Sequence, residues 1–374
     1  MAIMKSSVVN ILVGLWMIGC FVAAEKGVHV PAMFVLGDSL GDAGTNNYIP
    51  HCDVRANLTP YGVTFFHYPT GRFTNGRTTF DFLATYLGLP FSPPYLEPNA
   101  NFSRGINFAS SDCGLLDSTA ADANILPMGQ QVAQFENFSL SLMKTYPSGA
   151  AQAKSYLSKS LYCITIGTND IGDYVLNETS QNITTPQQFV TLLLSTFDQY
   201  ITRLYRAGAR KFLVMNIPPL GCDPYFRFTN NGECSEAANK LYVEYNTGLK
   251  SHVAHLSQKL SRLTIITHKA YDYLWDMIQN GEAYGFTDTK SACCGSGSFN
   301  AEVLCGRTTP QNLFCNDTNA YVFWDRVHPT EKVYDLFAQQ IWSGNSSVIY
   351  PFNLSTLVSG KKASGFYLST NSVF

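Results

Sequence analysis

Short apolar runs that end in turn residues recur along the chain and predict buried strands. They cover residues 34–36, 162–166, 212–217 and 264–267. Runs that are apolar on both faces are typical of a parallel sheet covered by helices on both sides. Apolar residues then recur at helical spacing between Pro186, which favours a first turn, and Gly208, which favours a helix end. A second long helix is predicted from Ser235 to about Leu260.

This alternation of strands and helices predicts a three-layer α/β/α sandwich with a central parallel sheet and right-handed crossovers. Ligands of such sheets gather beyond the carboxyl ends of the strands. No linker, repeat or low-complexity block divides the sequence, so residues 25–374 are expected to form one domain. Its core is expected at about residues 31–343, and residues from about 360 to 374 lack periodicity and predict a loose tail.

The first 24 residues have the layout of a secretory signal peptide. A lysine precedes an apolar stretch, and small residues at 22–24 make cleavage after Ala24 the expected outcome. A membrane anchor is the less favoured alternative, because the stretch is shorter than the roughly 20 residues that a spanning helix needs. The mature chain is therefore expected outside the cytosol.

The cysteines and glycosylation sequons are consistent with that location, and the charge bears on the partners of the protein. Nine of the ten cysteines follow the leader, where disulfides can form. Four of them could instead be zinc ligands, although no histidine lies between them, so disulfides are preferred. The net charge of -2 and the absence of a basic run argue against a nucleic-acid partner. The candidate glycosylation sites are Asn57, Asn101, Asn137, Asn177, Asn182, Asn316, Asn345 and Asn353.

A serine follows the first apolar run, at the carboxyl end of a predicted strand. Gly37 and the polar residues after it predict a tight turn that opens a helix, where free backbone N–H groups favour developing negative charge. Ser39 also needs a base before it can attack a carbonyl carbon. Asp325 lies three residues before His328 and could fix the tautomer and orientation of that imidazole. By itself Ser39 would more often be a cap residue, but the three side chains together favour a catalytic triad.

With these residues in place, the sequence resembles the plant-type GDSL esterase/lipase family of the SGNH hydrolases. Its conserved blocks resemble residues 34–40, 167–170 and 325–329 of this chain. Further plant-type segments resemble residues 71–77, 218–222 and 292–295. All of them follow the family's order, so the resemblance extends from about residue 31 to 343.

The resemblance implies a flavodoxin-like SGNH fold and a set of roles. Ser39, Asp325 and His328 are the implied triad, and the Ser39 N–H, a glycine N–H of the second block and the Asn169 side chain are the implied oxyanion donors. It also implies a disulfide between Cys222 and Cys234 and pairing within the group Cys293, Cys294, Cys305 and Cys315. Because nine is odd, at least one of Cys52, Cys113 and Cys163 is expected to stay unpaired unless it bonds another chain.

The second block departs from the family pattern. Ser111 and Asp112 stand where a glycine pair is expected, so the oxyanion glycine aligns with Asp112. Its carboxylate would oppose a nearby oxyanion, and glycine's easy access to positive φ is lost. A small backbone shift would bring Gly114 into use instead. Asp112 and Gly114 are therefore alternative candidates for the third donor.

A rival architecture is the α/β-hydrolase fold, because residues 37–41 also match its G-x-S-x-G elbow. That elbow normally follows several strands, whereas only 14 residues separate Ala24 from Ser39. The short spacing favours the SGNH layout, in which one loop supplies both the carboxylate and the imidazole.

The expected function is a secreted serine esterase or lipase that hydrolyses carboxylic esters of lipids, acylated sugars or phenolics through an acyl-enzyme. A lumenal acyltransferase with the same triad is the first alternative. A catalytically impaired binding protein on the same scaffold is the second, suggested by the altered second block. A small-molecule ester is the expected partner, and no cofactor, metal, nucleic acid or stable membrane anchor is implied.

Overall fold

A central sheet and a small outlying sheet account for the strands. The structure, a computed structural model, describes residues 30–177, 185–307 and 313–359. The predicted leader, the predicted tail and Asn182 lie outside the described residues. The strands are β1 (Met33–Gly37), β2 (Gly105–Asn107), β3 (Leu161–Thr165), β4 (Lys211–Met215), β5 (Thr264–His268), β6 (Asp288–Ala292), β7 (Tyr321–Phe323) and β8 (Ile349–Tyr350).

The central sheet has the strand order β2-β1-β3-β4-β5-β8. The first five of these strands run parallel, and β8 pairs antiparallel with β5 at one edge. Every residue of β1 and β3 is buried, because the sheet is covered on both faces. The expected layered α/β fold with a parallel sheet is confirmed, and the antiparallel edge strand was not predicted.

The described helices surround this sheet. They are α1 (Thr79–Tyr86), α2 (Met128–Thr145), α3 (Ala150–Lys159), α4 (Thr168–Asn177), α5 (Pro186–Arg206), α6 (Pro224–Thr229), α7 (Glu236–Lys259), α8 (Ala270–Gln279), α9 (Glu331–Ser343) and α10 (Leu354–Ser359). In one group α2 packs against both α3 and α5, and α5 packs against α7. In another group α9 packs between α1 and α10. The two predicted long helices correspond to α5 and α7 and are confirmed.

Three disulfides lie in the second half of the chain. They are Cys222–Cys234, Cys293–Cys315 and Cys294–Cys305. The pairing implied by the family resemblance is confirmed, and the zinc alternative is wrong because its four sulfurs are bonded to one another. Cys52, Cys113 and Cys163 are buried and unpaired.

The strand order creates a crevice at the carboxyl edge of the sheet. From β1 the chain leads toward β2 on one side, and from β3 it leads toward β4 on the other. The ends of adjacent strands whose connections diverge in this way form the usual ligand crevice of an open α/β sheet. Ser39 follows β1 and Asn169 follows β3, so both side chains lie at this crevice.

Candidate active site

Ser39 lies in a tight turn immediately after β1. The backbone carbonyl of Asp38 accepts hydrogen bonds from Gly41 N and Asp42 N, both at 3.0 Å. Gly37 has φ of 140°, and a Cβ there would lie 1.9 Å from the Thr165 carbonyl oxygen, so only glycine allows β1 and β3 to approach this closely. The turn is followed by a 3₁₀ segment at Thr45–Tyr48. The predicted tight turn is therefore confirmed, but the prediction that it opens directly into a helix is wrong.

Asp325 and His328 are joined within one loop after β7. The imidazole Nδ1 lies 2.8 Å from both carboxylate oxygens of Asp325, and the backbone N–H groups of Val327 and His328 also donate to that carboxylate. Burial by itself would raise the pKa of Asp325, but the His328 ring and these donors hold it below its ordinary value. The carboxylate is therefore charged and fixes the orientation of the imidazole.

A cavity of about 350 Å³ contains both Ser39 and His328 in its lining. Because Nδ1 is engaged by Asp325, the Nε2 atom is the free nitrogen of the ring. No hydrogen bond joins this nitrogen to the Ser39 hydroxyl in the described ranges. Such contacts are often long in unliganded enzymes and tighten when substrate binds. The cavity thus brings together Ser39 and His328 from opposite ends of the chain, and Asp325 contacts the imidazole from outside the cavity lining.

Asp112 adopts the backbone conformation that glycine would have taken. Its φ is 64°, in the left-handed region that aspartate tolerates better than most residues. The side chain is half-buried and lines the cavity beside Ser39. The expectation that this conformation is lost without glycine is therefore wrong. Gly114 is buried outside the cavity lining, and a Cβ at that position would lie 2.4 Å from Asp170 Oδ1.

Three N–H donors belong to residues that line the cavity. In the portion of the chain that the structure describes, neither the Ser39 N–H nor the Asp112 N–H has a hydrogen-bond acceptor. Asn169 donates one Nδ2 proton to the Cys113 carbonyl at 2.9 Å and also lines the cavity, so its second proton is unused. These groups can meet negative charge that develops near the serine.

Burial also perturbs the carboxyl groups around the serine. It raises the pKa of Asp38 to about 7, and the Asp38 Oδ2 atom has no hydrogen-bond partner in the described residues. For Asp112, burial again raises the pKa, while the nearby charges of His328 and Arg326 oppose the rise. Both groups therefore hold a proton at a higher pH than an exposed aspartate does.

The loop that carries Asp112 is held on its first side by residues that follow β1. Asp42 Oδ2 accepts the Ser111 N–H at 3.2 Å, while its Oδ1 accepts the backbone N–H groups of Gly44 and Thr45. Asn46 accepts the Ser110 hydroxyl at 2.6 Å and donates to the Ser111 carbonyl. Sequence reasoning assigned these two residues no role in the site.

Asp170, at the start of α4, holds the same loop on its other side. Its carboxylate accepts the N–H groups of Leu115 at 2.8 Å and Leu116 at 3.0 Å, together with the Thr119 hydroxyl at 2.7 Å. The loop is therefore fixed at both ends by buried carboxylates that bond to its backbone. Asp170 belongs to a predicted motif, but its function as an anchor was missed.

Residues 61–77 support the histidine loop. Tyr61 donates its hydroxyl to Asp325 Oδ2 at 2.7 Å, and the Phe73 ring lies 4.9 Å from the His328 ring. Thr74 donates to the Pro329 carbonyl, and Asn75 accepts the Glu331 N–H. The plant-type segment at residues 71–77 thus has a structural purpose, whereas no sequence signal identified Tyr61.

Two other histidines, His67 and His268, lie away from the cavity. His268 is fully buried among apolar groups, and its burial lowers its pKa to about 3. His67 bonds the Val63 carbonyl in an exposed turn. Neither lines the cavity. Within the described ranges, no cluster of histidine, cysteine, aspartate and glutamate has the grouping of a metal site.

A model of the GDSL-like Lipase/Acylhydrolase family matches residues 33–341. This chain belongs to that family. GDSL esterase/lipase 6 of Arabidopsis thaliana is 35% identical over 357 residues, which cover 93% of this chain and 96% of that protein. GDSL esterase/lipase 7 of the same plant is 38% identical over 339 residues, with coverage of 87% and 92%. Family membership makes the chain a carboxylic-ester hydrolase by class, as expected.

A solved structure of a catalytic mutant of an acetylxylan esterase from Geobacillus stearothermophilus also matches. The two chains are 10% identical, and the match covers 83% of this chain and 91% of the esterase chain. The TM-score of 0.36 is too low to indicate a common fold by itself.

None of the helices in the described ranges is long and apolar enough to cross a lipid bilayer.

Several predicted glycosylation sites are accessible. The side chains of Asn57, Asn101, Asn137, Asn316 and Asn345 are exposed. Asn353 is half-buried, and its Nδ2 atom donates to the Gly344 carbonyl. Because that nitrogen is the atom to which a glycan would attach, Asn353 fits modification less well than the exposed sites.

Proposed function

We propose that this GDSL hydrolase is a serine esterase of the secretory pathway that cleaves carboxylic esters with Ser39, His328 and Asp325. One observation carries the proposal. Ser39 and His328 line one cavity, while Asp325 holds the Nδ1 atom of the imidazole through two 2.8 Å contacts. This is the arrangement that a hydroxyl requires in order to become a nucleophile.

The reaction has two halves. In the first, His328 Nε2 takes the Ser39 proton while Oγ bonds the ester carbonyl carbon, and the resulting imidazolium is stabilised by Asp325. The tetrahedral oxyanion accepts hydrogen bonds from the Ser39 N–H, the Asp112 N–H and the Asn169 side chain. The C–O bond of the ester then breaks, the alcohol leaves with the proton from His328, and the acyl group remains on Ser39.

The second half releases the acid. His328 takes a proton from a water molecule, whose oxygen attacks the acyl carbon through a second oxyanion. Collapse of that intermediate returns the proton to Ser39 Oγ and frees the carboxylic acid. Each oxyanion donor is worth about 10²- to 10³-fold in rate, so the three donors matter as much as the base.

The three disulfides support a location outside the cytosol. Disulfides persist in oxidising compartments and are rare where thiols are kept reduced. The exposed asparagines of five sequons are accessible to glycosylation in the same pathway. The proposed site of action is the apoplast, the cell wall or the vacuole.

Replacement of the nucleophile tests this function. Ser39→Ala should abolish turnover of 4-nitrophenyl acetate and labelling by a fluorophosphonate, without lowering the melting temperature, because the hydroxyl makes no hydrogen bond in the described residues. Ser141→Ala, an exposed serine on α2, is the matched control and should keep both. Turnover retained by Ser39→Ala would refute the assignment of the nucleophile.

Product analysis tests the type of reaction. With an added alcohol such as glycerol, hydrolysis predicts free acid as the main product. A new ester as the main product would instead identify the chain as an acyltransferase with the same triad.

A further inference from the structure

Arg326 is a half-buried cation in the wall of the catalytic cavity. It stands between Asp325 and His328 in sequence, in the loop that presents the imidazole. Of the described residues that line the cavity, it alone carries a permanent positive charge. The proposed mechanism gives this side chain no task.

The guanidinium is positioned but unpaired. Its central carbon lies 4.7 Å from the centroid of the Tyr225 ring, a cation–π contact, and the Tyr225 N–H donates to the Arg326 carbonyl at 2.9 Å. Tyr225 therefore fixes both the backbone and the side chain of residue 326. Within the described ranges, the guanidinium forms no hydrogen bond and no ion pair.

Two other sheltered arginines in this chain have carboxylate partners, and the buried Arg227 donates to the backbone carbonyls of Cys222 and Gly232. Arg72 bonds Asp81 through two contacts of 2.7 Å, and Arg77 bonds Glu331 at 2.7 Å. A cation that is partly withdrawn from water without a partner loses solvation that nothing in the protein replaces. The Arg326 side chain therefore has five donors in a fixed geometry and no acceptor for them.

The carboxyl groups near Arg326 do not serve as its ion-pair partners. Asp223 uses Oδ1 to accept the Phe226 N–H at the start of α6, and burial raises its pKa well above the ordinary value. Burial raises the pKa of Asp112 as well, while the nearby charges of His328 and Arg326 oppose the rise. In the described residues, neither Asp223 nor Asp112 forms an ion pair with Arg326.

We propose that Arg326 binds an anionic group of the substrate, so that the preferred esters carry a carboxylate on the acid half or on the alcohol half. The inference rests on the proposed function, because it assigns a substrate class to the same cavity. Guanidinium and carboxylate match in planar geometry and form two parallel hydrogen bonds. The bond would hold the ester beside Ser39 and would discriminate against neutral esters of the same size.

Two matched substrate pairs test the proposal and locate the anionic group. For the acid half, 4-nitrophenyl hemisuccinate is compared with its methyl ester. For the alcohol half, 4-acetoxybenzoate is compared with methyl 4-acetoxybenzoate. The readout is the ratio of kcat/KM for the anionic ester to kcat/KM for its neutral twin, and the pair with the higher ratio identifies the half that contacts Arg326.

The wild-type ratio should exceed 10 in at least one pair, and Arg326→Gln should lower it by about 10- to 100-fold. Arg326→Lys keeps the charge without the planar fork and should retain an intermediate ratio. Arg206→Gln, at an exposed position in the last turn of α5, is the matched control and should leave the ratio unchanged. If Arg326→Gln does not fold, the ratio of Arg326→Lys decides.

The outcomes separate this inference from the proposed function. Equal ratios in the wild type and in the Arg326 variants, with turnover of neutral esters intact, would overturn the anionic-substrate proposal and leave the esterase proposal standing. Absence of turnover on all four esters, together with absence of fluorophosphonate labelling at Ser39, would overturn both.

Discussion

Asp112→Gly is the change that most directly probes the altered oxyanion loop. The Asp112 N–H is free to donate, but its own carboxyl group lines the same cavity. When ionised, that carboxylate repels the oxyanion that the N–H stabilises. We therefore expect the variant to hydrolyse esters faster than the wild type, but only at pH values where the wild-type carboxyl is charged.

The size of the effect follows from Coulomb's law. Two unit charges about 6 Å apart repel by about 3 kcal/mol at an effective dielectric constant of about 20. Because Asp112 is half-buried, solvent screening reduces this to about 1–2 kcal/mol. Since 1.36 kcal/mol corresponds to a factor of ten, kcat should rise by about 5- to 30-fold.

The pH dependence of kcat gives the sign of this electrostatic effect. Burial raises the pKa of Asp112, so the group is neutral at low pH and becomes charged as the pH rises through that raised value. Wild-type kcat should decline along this alkaline limb, whereas Asp112→Gly should not. At low pH, with the carboxyl protonated, the two enzymes should have similar rates.

The assay is hydrolysis of 4-nitrophenyl acetate at saturating concentration between pH 4 and 9, with spontaneous hydrolysis subtracted. Asp112→Asn is the matched control, because asparagine tolerates φ of 64° and keeps the shape of the side chain without its charge. It should behave as Asp112→Gly does. Identical pH profiles for all three proteins would show that the carboxyl group does not face the oxyanion.

Three further predictions concern groups around the site. Burial raises the pKa of Asp38 from 3.8 to about 7, so the free energy of unfolding should fall as the pH rises from about 4 to about 7. Asp38→Asn should remove up to about 4 kcal/mol of this loss of stability. Equal urea-unfolding curves for the two proteins at pH 8 would contradict this prediction. Tyr61→Phe removes the donor to Asp325 and should lower kcat about tenfold with little change in KM, whereas an unchanged kcat would deny the hydroxyl a positioning role. Replacing both Cys294 and Cys305 by serine should cost about 3 kcal/mol in unfolding free energy, and a melting temperature equal to that of the wild type would show that the bond does not stabilise the fold.

Four strands of the central sheet, β1, β3, β4 and β5, could be predicted because they lie in apolar runs, whereas the short strands β2 and β8 were missed. Residues 162–166 and 264–267 match β3 and β5 to within a residue. The long helix α5 could be predicted because Pro186 starts it and apolar residues recur on one face. The strand β6 could not, because its sequence Asp-Thr-Lys-Ser-Ala has neither an apolar run nor strict alternation. Short or polar strands form through pairing with partners that are distant in sequence.

The candidate site was only partly predictable for a related reason. Ser39, Asp325 and His328 belong to local motifs, so their residue types and spacing suggested a triad. Tyr61 lies 264 positions from the carboxylate that it contacts, and no local pattern links them. The turn after β1 was mistaken for a helix start because Gly37 and polar residues occur in both.

The two anchors of the second-block loop explain how an aspartate can replace glycine there. Asp42 bonds the backbone of Ser111, and Asp170 bonds the backbone N–H groups of Leu115 and Leu116. These contacts fix the chain on both sides of Asp112 without using its side chain. A left-handed aspartate costs at most about 1–2 kcal/mol, which the anchoring bonds can offset. The position of the residue 112 N–H therefore depends on the backbone of the loop. The residue type at 112 determines the charge in the cavity, and we expect it to determine the pH range in which kcat is high.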